Sequence, residues 1–173
     1  MARAATFVVR PVGTSELAQA GAVTEASYRV FYQDLGPWAE VFPSYAPQLR
    51  DVARRADEAE VLVAVARGGD LIGTVTFCRA GSPWQEIAAE GEAELRMLAV
   101  LPALQRLGVG RALTQACIDR ARLLGSRALV LSTPALATPP QRLYEGLGFR
   151  RVPLRDWKPE PGLGLLAYAK ALN

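Results

Sequence analysis

The sequence predicts an α/β domain, and three observations carry that prediction. Val61–Ala66 and Leu71–Cys78 are apolar strand-type runs joined by Arg67-Gly68-Gly69-Asp70, a turn whose glycines supply the positive φ of a tight hairpin. Glu92–Val100 is a further strand-type run, and it leads through a short loop into a helix that opens at Gly108 and Gly110. Val109, Leu113, Cys117 and Ala121 recur at four-residue spacing in that helix, with Arg111, Gln115, Asp119 and Arg122 on its other faces, so it is amphipathic.

The remaining elements follow in order. Thr6–Arg10 reads as a first strand closed by Pro11. Thr14 or Ser15 can cap a helix over Glu16–Arg29. A loop or second helix follows, with Tyr28, Phe31, Tyr32, Trp38, Phe42 and Tyr45 packed into a short span that Pro37, Pro43 and Pro47 are expected to break. Gln48–Ala59 reads as a charged amphipathic helix, and the hairpin comes next. Arg79–Glu90 is a loop before Glu92–Val100. The amphipathic helix ends at Gly125, a residue suited to a left-handed C-terminal cap. Ala128–Leu131 is wholly apolar and therefore an internal strand. Thr138-Pro139-Pro140-Gln141 reads as a helix start, with Thr138 as N-cap, Pro139 first and Gln141 closing a capping box, and the helix runs to Leu147. Gly148–Val152 and Leu163–Ala171 are the last two strands. No repeat or linker divides the chain, so residues 1–173 are expected to form a single domain.

Composition excludes several chemistries. The chain contains no histidine, which removes Ser-His-Asp and Cys-His mechanisms and the commonest metal ligand. Cys78 and Cys117 sit inside apolar patterns and read as buried thiols; two cysteines suggest neither a disulfide framework nor a zinc cluster, and no metal is expected. No apolar run approaches the roughly 18 residues that span a bilayer, and the N-terminal apolar stretch is too short for a leader; the cytoplasm is the expected location, without membrane partners. Residues 1–100 carry a net charge of −4 and residues 101–173 a net charge of +7. That asymmetry fits nucleic acid, or a polyanionic ligand on the C-terminal half with a cationic substrate on the N-terminal half, or scattered solvated arginines. The basic residues form no run and lack interleaved aromatics, so nucleic acid is not the expected partner.

The glycine pair suits a phosphate, because the first turn of a helix has free N–H groups and a positive dipole end. A Walker A loop would need Lys-Ser/Thr after the last glycine, where Arg111-Ala112 stands. A dinucleotide fingerprint would need Gly or Ala at residue 113, which is Leu113. Gln105-Arg106-Leu107-Gly108-Val109-Gly110 instead resembles the Q/R-x-x-G-x-G/A loop of the GNAT superfamily of acyl-CoA-dependent N-acyltransferases. Glu94–Val100 followed by Pro102 is similar to that family's fourth strand, and Leu143-Tyr144-Glu145-Gly146-Leu147-Gly148-Phe149 to its LYE-x-x-GF element. The pieces cover about residues 92–152, in the family's order and spacing.

The resemblance implies a central, mostly antiparallel sheet of about seven strands, its fourth and fifth strands splayed apart, flanked by about four helices. It implies acetyl-CoA as co-substrate and a primary amine of a small molecule or peptide as acceptor, acetylated by direct attack in a ternary complex. The pyrophosphate falls to Gln105, Arg106, Leu107, Gly108, Val109, Gly110, Arg111 and Ala112, and the pantetheine to the backbone of Leu98, Ala99 and Val100. Tyr144 matches the family's acid for the leaving thiolate, Glu94 its strand carboxylate base, often acting through water, and Thr133 stands where it could position water or pantetheine. The acceptor pocket implied by the family draws on Tyr28, Phe31, Tyr32 and Trp84, with Asp34, Trp38 and Trp157 nearby and Glu25 or Glu40 as further carboxylates. The family's Asn before the final helix is missing from Thr133–Pro140, so contacts to the adenosine end do not carry over. A non-catalytic acyl-CoA-binding or regulatory domain is the alternative, and a homodimer stays open.

Overall fold

The computed structural model describes residues 6–172; residues 1–5, part of the stretch weighed as a leader, lie outside the described residues. Seven strands form one sheet in the order β1-β2-β3-β4-β5-β7-β6. They are β1 (Phe7–Pro11), β2 (Glu60–Ala66), β3 (Leu71–Cys78), β4 (Glu92–Val100), β5 (Ala128–Pro134), β6 (Arg150–Arg151) and β7 (Leu165–Ala171). Every pairing is antiparallel except β4 with β5. Five helices flank the sheet, where about four were expected: α1 (Leu17–Gln33), α2 (Pro37–Arg50), α3 (Val52–Glu58), α4 (Val109–Leu123) and α5 (Thr138–Glu145).

The extra helix arises because the aromatic, proline-bearing segment does not break. Pro37 begins α2, where its missing N–H costs nothing, and Pro43 and Pro47 lie inside it. Burial of Trp38, Phe42, Ala46 and Leu49 on one stripe overrides the local penalty of those prolines. The charged helix expected over 48–59 is divided at Asp51, which leaves helical geometry and caps α3 by accepting the Arg54 N–H at 3.1 Å. Buried Arg55 reaches back to donate to the Gln48 and Leu49 carbonyls at the end of α2.

Other boundaries shift for local reasons. Helix α1 follows a short 3-10 turn over Thr14–Glu16 and has no side-chain cap bond; neither Thr14 nor Ser15 caps it, and the Glu16 carboxylate accepts the Gly13 N–H at 2.8 Å back across the turn. Ala137 is the N-cap of α5 and Thr138 makes no capping bond; Gln141 donates instead to the Pro134 and Ala135 carbonyls at 3.2 and 3.1 Å. Strand β5 runs on to Pro134 because β7 pairs along all of it.

The core has two sides. One layer packs α4 on the sheet through Val109, Leu113, Cys117 and Ile118 against Leu95, Leu129 and Leu131. The opposite layer packs α1 and α2 on β3 and β4 through Tyr32, Trp38, Phe42, Leu49, Cys78 and Met97. Both thiols are free and buried, and burial pushes Cys78 up to about 12.

Candidate active site

The parallel ladder between β4 and β5 lasts three residues, from Glu92↔Ala128 to Glu94↔Val130. Beyond it the strands part. Met97 lies where the β3–β4 register slips between Thr76↔Arg96 and Thr74↔Ala99, and its φ of 52° marks a bulge that bends β4 away from β5. The backbone of β4 from Leu95 onward therefore lacks β5 as a hydrogen-bonding partner, and a cavity of about 790 Å³ opens along this wedge.

One end of the cavity is a backbone anion cradle. Arg106 and Gly108 both have left-handed φ, 64° and 86°, so the N–H groups of the loop converge as in a nest. A non-glycine residue in that conformation is strained, and such strain collects at ligand sites. The first helical bond of α4 runs from the Ala112 N–H to the Gly108 carbonyl at 3.0 Å, so the N–H groups of Val109, Gly110 and Arg111 precede it. A Cβ at Gly110 would meet Leu143, Val100 and Leu98 at 3.5–3.9 Å, ordinary contact, so packing does not demand a glycine there. All four residues line the cavity, which makes the open space above Gly110 available to a ligand.

Of the residues expected at the phosphate and pantetheine, Leu98, Ala99, Val100, Gln105, Arg106, Gly108, Gly110, Arg111 and Thr133 line the cavity. Leu107, Val109 and Ala112 do not. Val109 is buried in the core, Leu107 points to solvent, and the Ala112 N–H is spent within the helix. Arg111 also donates to the Gly146 carbonyl at 3.3 Å, tying α4 to the turn after α5.

Tyr144 lies on the cavity wall between these features. It packs edge-on against Phe149 (centroids 5.8 Å) and beside Tyr168 (6.3 Å), which orients the ring. Burial raises its phenol above the ordinary value, so it is a neutral O–H donor at neutral pH.

The other end is an aromatic chamber. Tyr28, Phe31 and Tyr32 from α1 and Trp38 from α2 line it as expected, and Trp157 closes the far side. Trp84 does not line it: its indole is buried, donates to Glu58 at 2.8 Å, and lies beneath the cations of Arg54 and Arg96. Asp34, Glu25 and Glu40 are also off the cavity, and Glu25 is taken by Arg29 and Arg50 at 2.8 and 2.6 Å.

Glu94, the expected base, is placed differently. It is 1% exposed and absent from the cavity lining. One carboxylate oxygen accepts three successive N–H groups, from Glu86, Ile87 and Ala88 at 2.8, 3.0 and 3.1 Å, and the other has no partner. A carboxylate so engaged holds the loop in front of β4 and stands off the cavity lining. That loop delivers Glu86 to the cavity instead. Burial raises the Glu86 carboxyl, Arg96 opposing, and its Oε1 accepts from Arg96 at 2.6 Å. Arg96 also donates to the Trp84 carbonyl at 2.8 Å. Glu86, Arg96 and Tyr45 are the site residues that sequence reasoning missed. Glu86 lies in a loop without a motif, and Arg96 alternates with core residues on a strand, so only the chain's path reveals them.

No group of three His, Cys, Asp or Glu side chains among the described residues is arranged to hold a metal, and no helix there is long and apolar enough to cross a membrane.

Comparison with known proteins follows the same lines. The sequence model of the acetyltransferase (GNAT) family matches residues 24–149. A mycothiol acetyltransferase from Pseudarthrobacter chlorophenolicus is 38% identical over 109 residues, 58% of this chain and 32% of that protein, so the chain spans about a third of the length of this curated relative. A GNAT-family acetyltransferase from Staphylococcus aureus Mu50 superposes with a TM-score of 0.75 at 15% identity, covering 97% of this chain and 100% of that one. The PaiA N-acetyltransferase of Thermoplasma acidophilum, solved in complex with coenzyme A, superposes with a TM-score of 0.73 at 17% identity, covering 96% and 99%. At these identities the structural likeness establishes the fold.

Proposed function

The chain belongs to the GNAT acetyltransferase family, and from that premise we propose that its described residues act as one catalytic domain transferring an acetyl group from acetyl-CoA to a primary amine in a ternary complex. The observation that carries this reading is the continuity of a single cavity from the anion cradle at Arg106–Gly110, past Tyr144, to the aromatic chamber that holds Glu86.

The residues fit acetyl-CoA at each stage. The converging N–H groups of 106–111 suit its pyrophosphate, with Arg106 and Arg111 adding charge-assisted contacts. The free edge of β4 at Leu98, Ala99 and Val100 suits the pantetheine amides, and Thr133 borders the same stretch. The acceptor nitrogen must be neutral to attack. Glu86 first pairs with the ammonium and then takes its proton, which its raised carboxyl favours. The nitrogen lone pair forms the C–N bond as the thioester C–S bond breaks, and the Tyr144 hydroxyl gives its proton to the departing sulfur. The acylated nitrogen sheds its second proton to solvent as the neutral amide forms, Tyr144 is reprotonated from solvent and Glu86 releases its proton there, so the cycle balances with one net proton released. Glu94 serves by fixing the loop that presents Glu86.

Tyr144→Phe tests the reading. Turnover is expected to fall by about 10²–10⁴-fold while affinity for acetyl-CoA stays near the parent value. Unchanged turnover would remove Tyr144 as the acid. In the Glu86→Gln variant the acid limb of the kcat/KM profile, which lies above the ordinary carboxylate pKa, is expected to disappear. A limb retained in Glu86→Gln and lost in Glu94→Gln would return the base to Glu94.

A further inference from the structure

Resting on acetyl transfer to an amine at this site, we propose that the acceptor is a primary amine carried on an apolar ring or branched alkyl body, with no carboxylate or phosphate of its own. The chamber walls argue for the body. Tyr28, Phe31, Tyr32 and Trp38 interlock, with centroid separations of 5.9 Å for Tyr28–Phe31, 5.3 Å for Tyr28–Tyr32 and 5.1 Å for Tyr32–Trp38. Rings locked this way present flat apolar faces that do not re-form around a polar chain. The two serine hydroxyls on the same wall are already used: Ser27 donates to the Val23 carbonyl at 2.7 Å and Ser44 to the Val41 carbonyl at 2.8 Å.

The charges argue against an anionic substituent. Toward this end the cavity is lined by Glu86, Arg96 and, at its mouth, Glu160. The Arg96 cation is committed to Glu86 at 2.6 Å and to the Trp84 carbonyl at 2.8 Å, and lies 5.9 Å from the Trp84 ring centroid. Arg106 and Arg111 stand at the opposite end, on the anion cradle. A carboxylate entering the chamber would be stripped of water with no uncommitted cation to receive it. An ammonium meets Glu86 and the ring faces, both favourable to a cation.

Coenzyme A release tests this with three acceptors: 2-phenylethylamine, phenylalanine, which adds a carboxylate to the same ring and amine, and spermidine, which has several ammonium groups and no apolar body. The expected kcat/KM for 2-phenylethylamine exceeds each of the others by about 10²-fold or more. Phe31→Ser, on the half-buried wall, should lower that value at least tenfold and leave the KM for acetyl-CoA within twofold. Glu86→Gln frees Arg96, so although all rates fall, the preference for 2-phenylethylamine over phenylalanine should shrink at least tenfold. Equal or better use of phenylalanine or spermidine by the parent enzyme overturns the acceptor class and leaves acetyl transfer intact. Acetyl-CoA binding without release in the presence of any amine overturns acetyl transfer and this inference with it.

Discussion

Replacing Gly21 by alanine should loosen the wall of the acceptor chamber from behind. Gly21 lies in the buried face of α1, and a Cβ built on it would stand 2.2 Å from the Arg50 carbonyl oxygen and 3.1 Å from its carbon. Ordinary contact begins near 3.4 Å, so the helices must separate locally by about 1 Å. The obstacle is backbone and cannot swing aside. Arg50 is also tied to α1 by its 2.6 Å bond to Glu25, and α1 to the sheet by the buried Thr24–Thr74 hydroxyl pair at 2.7 Å. Overpacking of this kind costs about 1–3 kcal/mol, against which alanine's helix propensity returns up to about 1 kcal/mol. A net loss of about 1–2 kcal/mol corresponds to a fall in Tm of roughly 2–8 °C for a domain of this size. Because α1 carries Tyr28, Phe31 and Tyr32, the acceptor KM should rise as well, while the acetyl-CoA KM, set by β4 and α4, should hold. Thermal denaturation together with the two KM values checks this. A Tm equal to or above the parent's would refute the argument that α1 and the end of α2 meet without room for a methyl group.

Other perturbations separate the remaining roles. Gly108→Ala places a side chain at φ 86°, with nothing within 4 Å to clash, so the expected stability loss of about 1 kcal/mol is conformational; isothermal titration should show weaker acetyl-CoA binding as the nest distorts. Glu94→Gln weakens the acceptor of three N–H bonds, so it should cost about 1–3 kcal/mol in urea denaturation and raise the acceptor KM more than it lowers kcat. A collapse in kcat with unchanged stability would instead make Glu94 the base. Burial alone would raise the Glu92 carboxyl, but the Arg155 hydrogen bond, the Ala89 N–H and the charges of Arg155 and Arg127 outweigh it and hold it below its ordinary value. A depressed carboxyl contributes stability above its unfolded pKa and loses it as pH falls through the folded one. Glu92→Gln should therefore be less stable at neutral pH and show a flatter stability profile below about pH 4.5.

The family model matches residues 24–149, which contain the segments the sequence reads most directly. The anion site proposed at Arg106–Gly110 depends on local backbone: two left-handed residues and a helix start lie within six consecutive positions. Continuous apolar runs likewise mark β2 and β3, which are buried on both faces, and a four-residue period marks α4, which buries one face against the sheet. The α2 prolines were misleading because propensity is a local quantity, whereas the helix survives through the aromatic stripe it buries.

Elements whose chemistry is written in neighbouring residues are legible without coordinates: the glycine loop, the β4 strand before it and Tyr144 on α5. The three-dimensional fold adds which carboxylate lines the cavity. Glu94 lies in the strand that matches the family pattern, whereas Glu86, eight positions earlier, lies in a loop without a motif. Folding turns the first inward to bind three loop N–H groups and leaves the second beside Arg96 on the cavity wall. Backbone N–H groups held against the sheet need acceptors, and the carboxylate that accepts three of them is not free to line the cavity.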